Sequence, residues 1–144
     1  MKMVTQLSIF IRNKPGELRK ITQLLADNSI DIRALTVAET ADYGILRIIV
    51  NKPDEAYSVL QSKNILVGKT EILAIEMKDE PGGLNFIANI LGDAGVNIEY
   101  MYAYSRKDTA ILLIQVSADH KAKAVETFDK NNVRIFKPEE IYNK

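Results

Sequence analysis

The chain has 144 residues, 47 % apolar and 26 % charged, and this composition is typical of a globular protein that is soluble in water. Its 19 basic residues balance 19 acidic ones, so we expect neither nucleic acid nor a membrane as a partner. The absence of cysteine and the single histidine exclude thiolate chemistry and leave little for metal binding, so we expect no metal and no cofactor.

The first half is predicted to begin with a strand and a helix. Residues 3–11 are rich in β-branched and aromatic types, which indicates a strand. Pro15 suits a helix start, because its ring fixes φ near the helical value and its missing N–H would have no partner there. Asn28 is predicted to end this helix in the left-handed conformation. The predicted apolar face consists of Leu18, Ile21, Leu24 and Leu25.

The rest of the first half is predicted as two strands, a helix and a closing strand. Strands over 31–39 and 44–50 are joined by a short turn at 40–43, and so short a connection requires them to be antiparallel. Pro53 begins the second helix, and residues 65–70 form the last strand. The predicted apolar face of this second helix consists of Ala56, Val59 and Leu60.

The second half repeats the same order of elements. These are a strand over 71–78, a helix over 81–94, strands over 96–105 and 109–117, a further helix, and a closing strand over 133–136. Gly95 is the predicted left-handed residue after the first of these helices, and Asp119 is the predicted N-cap of the second. The side chains predicted to face inward are Leu84, Ile87, Ile90 and Leu91, followed by Ala122, Val125 and Phe128.

The order βαββαβ, found twice, predicts an α+β protein of two ferredoxin-like units, each an antiparallel sheet with two helices on one face. We expect one domain over residues 1–70 and another over 71–144, with no linker between Thr70 and Glu71. A unit this small buries only ~60 % of the surface of its unfolded chain, so it is marginally stable alone. We therefore expect a fused pair or a homodimer.

In each half of the chain, a turn precedes the first helix, and the two turns have matching sequences. They are Asn13-Lys14-Pro15-Gly16-Glu17-Leu18 and Asp79-Glu80-Pro81-Gly82-Gly83-Leu84. The N–H groups of a first helical turn carry partial positive charge, and glycine lets a ligand approach them, so a carboxylate can bind there. A single Pro-Gly turn is more often only a helix start, but its recurrence favours a ligand.

This pattern, followed by Ile-x-x-Leu-Leu (Ile-x-x-Ile-Leu in the second half) and by Ser-Ile-Asp-Ile or Gly-Val-Asn-Ile, resembles the ACT domain, twice over. The resemblance covers almost the whole chain. It extends to small stand-alone tandem ACT proteins without a catalytic domain and to the regulatory small subunit of acetolactate synthase. In the family, free amino acids bind between the Pro-Gly turn of one domain and the start of the second strand of its neighbour.

The resemblance implies turn residues and strand-start residues as the binding site. The implied turn residues are Asn13, Lys14, Pro15, Gly16, Glu17 and Leu18, and Asp79, Glu80, Pro81, Gly82, Gly83 and Leu84. The implied strand-start residues are Asp31, Ile32, Asn97 and Ile98. The family pattern favours asparagine at both polar positions, whereas here each half keeps one: Asn13 with Asp31, and Asn97 with Asp79.

An amino-acid zwitterion needs N–H donors for its carboxylate and oxygen acceptors for its ammonium, and such a site offers both. Two or three charge-assisted hydrogen bonds of ~1.5–3 kcal/mol each, less ordering costs, correspond to a dissociation constant of roughly 1 μM to 1 mM. The acidic Asp79-Glu80 pair and the room left by Gly83 favour histidine or another polar or basic amino acid, with branched-chain amino acids next. In the alternative interpretation, each Asn or Asp only caps a local turn.

We therefore expect a non-catalytic regulatory protein that senses an amino acid and acts on a partner enzyme. The alternative is an assembly subunit of an amino-acid biosynthetic enzyme, similar to the acetolactate synthase subunit, with a vestigial ligand site. An enzyme is disfavoured, because the chain has no nucleophile elbow, phosphate-loop motif or metal-ligand cluster. The N-terminal residues lack the apolar core of a signal peptide, so we expect a cytoplasmic location.

Overall fold

The computed structural model describes residues 3–39, 42–107 and 109–143, so the predicted turn at 40–43 lies partly outside the described residues. The chain divides into two units. The first unit consists of Thr5–Glu71 and Glu139–Lys144, and the second unit consists of Met1–Val4 and Ile72–Pro138.

The first unit contains the elements β1 (Val4–Arg12), α1 (Glu17–Asp27), β2 (Ile32–Glu39), β3 (Tyr43–Val50), α2 (Pro53–Ser62) and the first residues of β4 (Val67–Lys78). Its strands lie in the order β2-β3-β1-β4. β3 is antiparallel to both β1 and β2. The core of this unit is formed by the sheet and both helices and includes Leu7, Ile9, Leu25, Leu46, Ile48 and Leu60.

The second unit contains the rest of β4, α3 (Gly83–Asp93), β5 (Ile98–Arg106), β6 (Thr109–Val116) and α4 (Lys121–Lys130). Its strands lie in the order β4-β6-β5, and both pairings are antiparallel. The core residues of this unit include Leu73, Ile75, Ile87, Leu91, Leu112, Ile114 and Phe128. Together with the first unit, this architecture confirms the predicted α+β class and the ferredoxin-like units.

β4 is one continuous strand where two separate strands are predicted. The sequence predicts one strand over 65–70 and another over 71–78, but the structure has a single strand of 12 residues. Because residues 69–78 contain neither Gly nor Pro, nothing interrupts the extended backbone where the two predicted strands meet. The strand predicted over 133–136 is not present as a strand. Within that segment only Ile135 forms a β-bridge, and its partner is Ile75.

The C-terminal segment forms a helix that the sequence analysis does not predict, α5 (Pro138–Tyr142). Pro138 cannot donate to a strand ladder, so it ends the extended segment and begins this helix. Within the first unit, the amide of Thr5 donates to the hydroxyl of Tyr142 at 2.8 Å. Nε of Arg33 donates to the carbonyl of Tyr142 at 2.9 Å. α5 thus holds the side chain of Arg33, the second residue of β2.

Three predicted inward residues face solvent instead. Leu18 and Leu84 are 43 % and 48 % exposed, because each is the second residue of its helix and the buried apolar side chains begin one turn later, at Ile21 and Ile87. Ala122 is exposed, whereas Ala124 is buried with Phe128 on the next turn. None of the helices in the described residues has both the length and the apolar character that crossing a bilayer requires.

The predicted cap of α4 is also wrong. Asp119 lies in a short 3-10 helix (Ala118–His120), and α4 begins after His120 with no side-chain cap among the described residues.

The left-handed residue after α1 is Ser29, at φ 56°, and not Asn28, whose φ is −103°. Gly95 has φ 72°, as predicted for the equivalent position after α3. Asn28 is the C-cap of α1, and the left-handed residue lies one position beyond the cap.

We expect Ser29→Gly to stabilise the protein by about 1 kcal/mol, because glycine adopts positive φ without the strain that a Cβ causes. Ser58→Gly, in the middle of α2, is the matched control and should destabilise by about 0.5–1 kcal/mol. Urea denaturation of both variants checks the two opposite signs. A loss of stability in Ser29→Gly would contradict the assignment of strain to Ser29.

Candidate functional site

The two Pro-Gly turns have the same backbone geometry. Gly16 has φ 90° and ψ −10°, Gly82 has φ 89° and ψ −9°, and each directly precedes a helix. Few residues other than glycine adopt this conformation without strain. The recurrence of glycine in the second copy of the turn therefore has a structural cause, and the helices begin at Glu17 and Gly83, two positions after each proline.

The helix starts at these turns are uncapped. No side chain in the described residues caps α1 or α3. The first intrahelical hydrogen bonds run from the amides of Lys20 and Phe86 to the carbonyls of Gly16 and Gly82, at 3.2 and 3.0 Å. Of the amides before that point, that of Gly83 donates to the carbonyl of Glu80 at 3.0 Å, and the others have no intrahelical acceptor and carry partial positive charge. Both turns can therefore donate hydrogen bonds to an anion.

The first turn carries a carboxylate of its own. Oε1 of Glu17 lies 3.5 Å from Nζ of Lys14 and 3.9 Å from Nζ of Lys20, and the side chain of Glu17 is mostly buried. The second turn has Gly83 at the equivalent position, and the first turn of α3 contains no acidic residue. The acidic residues of the second turn, Asp79 and Glu80, instead precede its glycines.

Gly83 is required by close packing against β4. A Cβ at Gly83 would lie 2.1 Å from the carbonyl oxygen of Lys78, which is shorter than any real contact. At Gly82, by contrast, a Cβ would meet nothing within 4 Å. The expectation that Gly83 leaves room for a ligand is therefore wrong, because backbone fills that space.

A cavity of about 460 Å³ lies against the second turn, with all of its lining in the second unit. The lining residues are Glu76, Met77 and Lys78 of β4, Glu80, Gly82 and Gly83 of the turn, Phe86 and Ile87 of α3, Thr109 of β6, and Asn131–Arg134 after α4. Three residues of the implied site, Glu80, Gly82 and Gly83, thus line one cavity. Asn97 and Ile98 are not among its lining residues.

The segment after α4 is not predicted from the sequence to be part of a site. Asn132 has φ 59°, and the amide of Val133 donates to the carbonyl of Phe128 at 2.9 Å, so the chain reverses there and faces the turn. Nη1 of Arg134 lies 3.7 Å from Oε2 of Glu76, and its guanidinium lies 4.4 Å from the centre of the Phe136 ring. A similar chain reversal occurs at Asn64, φ 60°, after α2, but it gives no indication that the segment after α4 lines a cavity.

Both implied strand starts have local partners. The amide of Asp31 donates to Oδ1 of Asn51 at 2.9 Å, and its carboxylate forms an ion pair with Arg33. The amide of Asn97 donates to Nδ1 of His120 at 3.1 Å. Each strand start precedes an irregular register in an edge strand, β2 or β5. These contacts fix the backbone of both strand starts.

A family model described as an ACT domain pair matches residues 2–142. The chain is similar to the crystal structure of protein BT0572 from Bacteroides thetaiotaomicron, with 36 % identity over 99 % of this chain and 98 % of that one, at a TM-score of 0.93. The regulatory subunits of aspartate kinase from Thermus thermophilus and Thermus flavus share the fold at a TM-score of 0.64, with 17 % and 16 % identity, over 90 % of this chain and 93 % of each of theirs. Among curated protein sequences, none matches this chain significantly.

Proposed function

Because this chain belongs to the family of ACT domain pairs, we propose that it is a non-catalytic regulatory protein that binds a free amino acid at its Pro-Gly turns. The observation that carries this proposal is the uncapped helix start behind a left-handed glycine, present at both Gly16 and Gly82. Its amides match the carboxylate of an amino acid. Oxygen atoms of Asn13, Asp79 or a strand start accept from the ammonium.

We propose that a second copy of the chain completes the site with the start of β2 or β5. Both are edge strands of their units, so one side of each remains available for a neighbouring chain. In β2, Leu35 and Val37 are 53 % and 47 % exposed. They lie opposite Ile48 and Leu46, which belong to the core of the first unit, so the apolar face continues to the edge. Covering it favours a homodimer.

A ligand bound across such an interface shifts the association of the chains or their affinity for a partner enzyme. A coupling free energy of ~1–3 kcal/mol is typical of such regulation. The two similar Thermus proteins are regulatory subunits of aspartate kinase by name, which supports a role in the control of an enzyme of amino-acid metabolism. Such a regulatory protein acts where its partner enzyme does, in the cytoplasm.

One observation favours the alternative, an assembly subunit with a vestigial ligand site. In the first turn, the carboxylate of Glu17 already contacts Lys14 and Lys20. If this ion pair replaces a ligand, the first turn contributes only to structure and to binding of a partner. The second turn carries no such ion pair between its equivalent residues, Glu80, Gly83 and Phe86.

Gly82→Val is expected to weaken amino-acid binding at least tenfold, and Gly16→Val to weaken it less. Valine at positive φ displaces the turn and covers its amides, and one strained residue costs about 1–3 kcal/mol, which a folded domain tolerates. Calorimetric titration of the whole chain with each L-amino acid, and with its D-enantiomer, measures the effect.

Gly68→Val is the matched control for this experiment. Gly68 lies in β4, where a Cβ meets nothing within 4 Å, and valine suits a strand. This variant should bind like the unchanged protein. Unchanged affinity in both turn variants would show that the turns are not the site, and the absence of binding for every amino acid would favour the assembly role.

A further inference from the structure

We propose that the cavity beside the second turn is a ligand site contained in the second unit, and that it takes an α-amino acid with an apolar side chain. This inference rests on the proposed function and deepens it, since it names the turn, the residues and the class of side chain. This site needs no second copy of the chain. In this it departs from the dimer site proposed above and from the site that the family resemblance implies, because Asn97 and Ile98 are not among its lining residues.

Charges of both signs line this cavity, as a zwitterion requires. Arg134 supplies a guanidinium for the carboxylate, beside the uncapped start of α3. Glu76 and Glu80 supply carboxylates for the ammonium. Arg134 and Glu76 are 3.7 Å apart, whereas a charge-assisted hydrogen bond measures about 2.7–2.9 Å. Groups of both signs therefore lie within reach of one small zwitterion.

Part of the remaining wall is apolar, although Lys78, Thr109 and Asn131 also line it. Phe86 is 48 % exposed and lines the cavity together with Met77, Ile87 and Val133. Covering this apolar surface removes it from water, which favours an apolar ligand side chain over a charged one. The volume of about 460 Å³ lies within the range of about 300–1,000 Å³ that is usual for small-molecule sites. These features favour branched-chain amino acids over histidine or other basic ones.

The equivalent positions of the first unit carry a different chemistry. By the offset that relates the two Pro-Gly turns, Glu17 corresponds to Gly83 and Lys20 corresponds to Phe86. The charges of Glu17 and Lys20 lie 3.9 Å apart, so an ion pair occupies the place of the glycine and the aromatic ring. We therefore expect one cavity ligand per chain and not two.

Titration of the whole chain with L-isoleucine, L-leucine, L-valine, L-histidine and L-lysine tests this inference. We expect an apolar amino acid to bind with a stoichiometry of one per chain. Arg134→Gln should then weaken its binding at least tenfold. The matched control is Lys69→Gln, because Lys69 also lies over an aromatic ring, Tyr57 at 4.5 Å, and pairs with a carboxylate, Asp54 at 3.2 Å. Lys69 belongs to the first unit and should not affect binding.

Phe86→Lys is a second variant. It introduces the residue type found at the equivalent position of the first unit, Lys20, and should also weaken binding at least tenfold. The cavity inference fails if an amino acid binds Arg134→Gln and Phe86→Lys as tightly as it binds the unchanged chain. If Asn97→Ala or Gly82→Val then abolishes binding, the proposed function nevertheless stands. Exclusive binding of histidine or lysine overturns the assigned side-chain class. If no amino acid binds, the proposed function fails as well.

Discussion

Gly83→Ala is expected to destabilise the second unit by about 3 kcal/mol, one of the two largest effects that we predict. The new Cβ would lie 2.1 Å from the carbonyl oxygen of Lys78 and 3.2 Å from its carbonyl carbon. Neither atom belongs to a flexible side chain, so the start of α3 must move away from β4. Overpacking of this kind costs typically about 1–3 kcal/mol and occasionally more.

Gly92→Ala, in the same helix, is the matched control. A Cβ at Gly92 meets nothing within 4 Å, and alanine favours the helix over glycine by about 1 kcal/mol. Urea denaturation, monitored by circular dichroism, should therefore show the midpoint urea concentration shifted in opposite directions for the two variants. Equal stability of Gly83→Ala and the unchanged protein would mean that the turn can move away from β4 at no cost.

Phe128→Ala is expected to destabilise the protein by about 3–5 kcal/mol, because Phe128 is fully buried in the core of the second unit and its removal leaves a cavity. The loss should extend to ligand binding. The carbonyl of Phe128, which the substitution keeps, accepts from the amides of Asn131 and Val133, at 3.2 and 2.9 Å, so a shift of the backbone into the emptied space would displace one wall of the cavity. Denaturation and titration of the same preparation measure both effects.

Phe86→Ala separates packing from binding. Phe86 is exposed, so its truncation should change the free energy of unfolding by no more than about 0.5 kcal/mol. It lines the cavity, so the affinity for an apolar amino acid should nevertheless fall. If Phe86→Ala proved as destabilising as Phe128→Ala, the ring of Phe86 would belong to the core and could not serve as a ligand wall.

The internal repeat carries more structural than functional information. Gly16 and Gly82 recur because both turns need positive φ, so the recurrence by itself does not indicate a ligand. The same offset relates Ser29 to Gly95, and this equivalence would have identified Ser29, rather than Asn28, as the left-handed residue. The positions that bear on ligand binding are those at which the halves differ. Gly83 is equivalent to Glu17, and Phe86 is equivalent to Lys20.

Periodicity, proline positions and the duplicated turns are sufficient to predict two ferredoxin-like units and all four of their packed helices, α1 to α4. Such patterns are local, because the hydrophobic period and the turn residues act within about ten positions along the chain. The tertiary structure alone decides that Gly83 packs against the backbone of Lys78 and that Arg134 lies beside the second turn. These features depend on which distant segments pack together, and the side chains that line a cavity need no periodic spacing in the sequence.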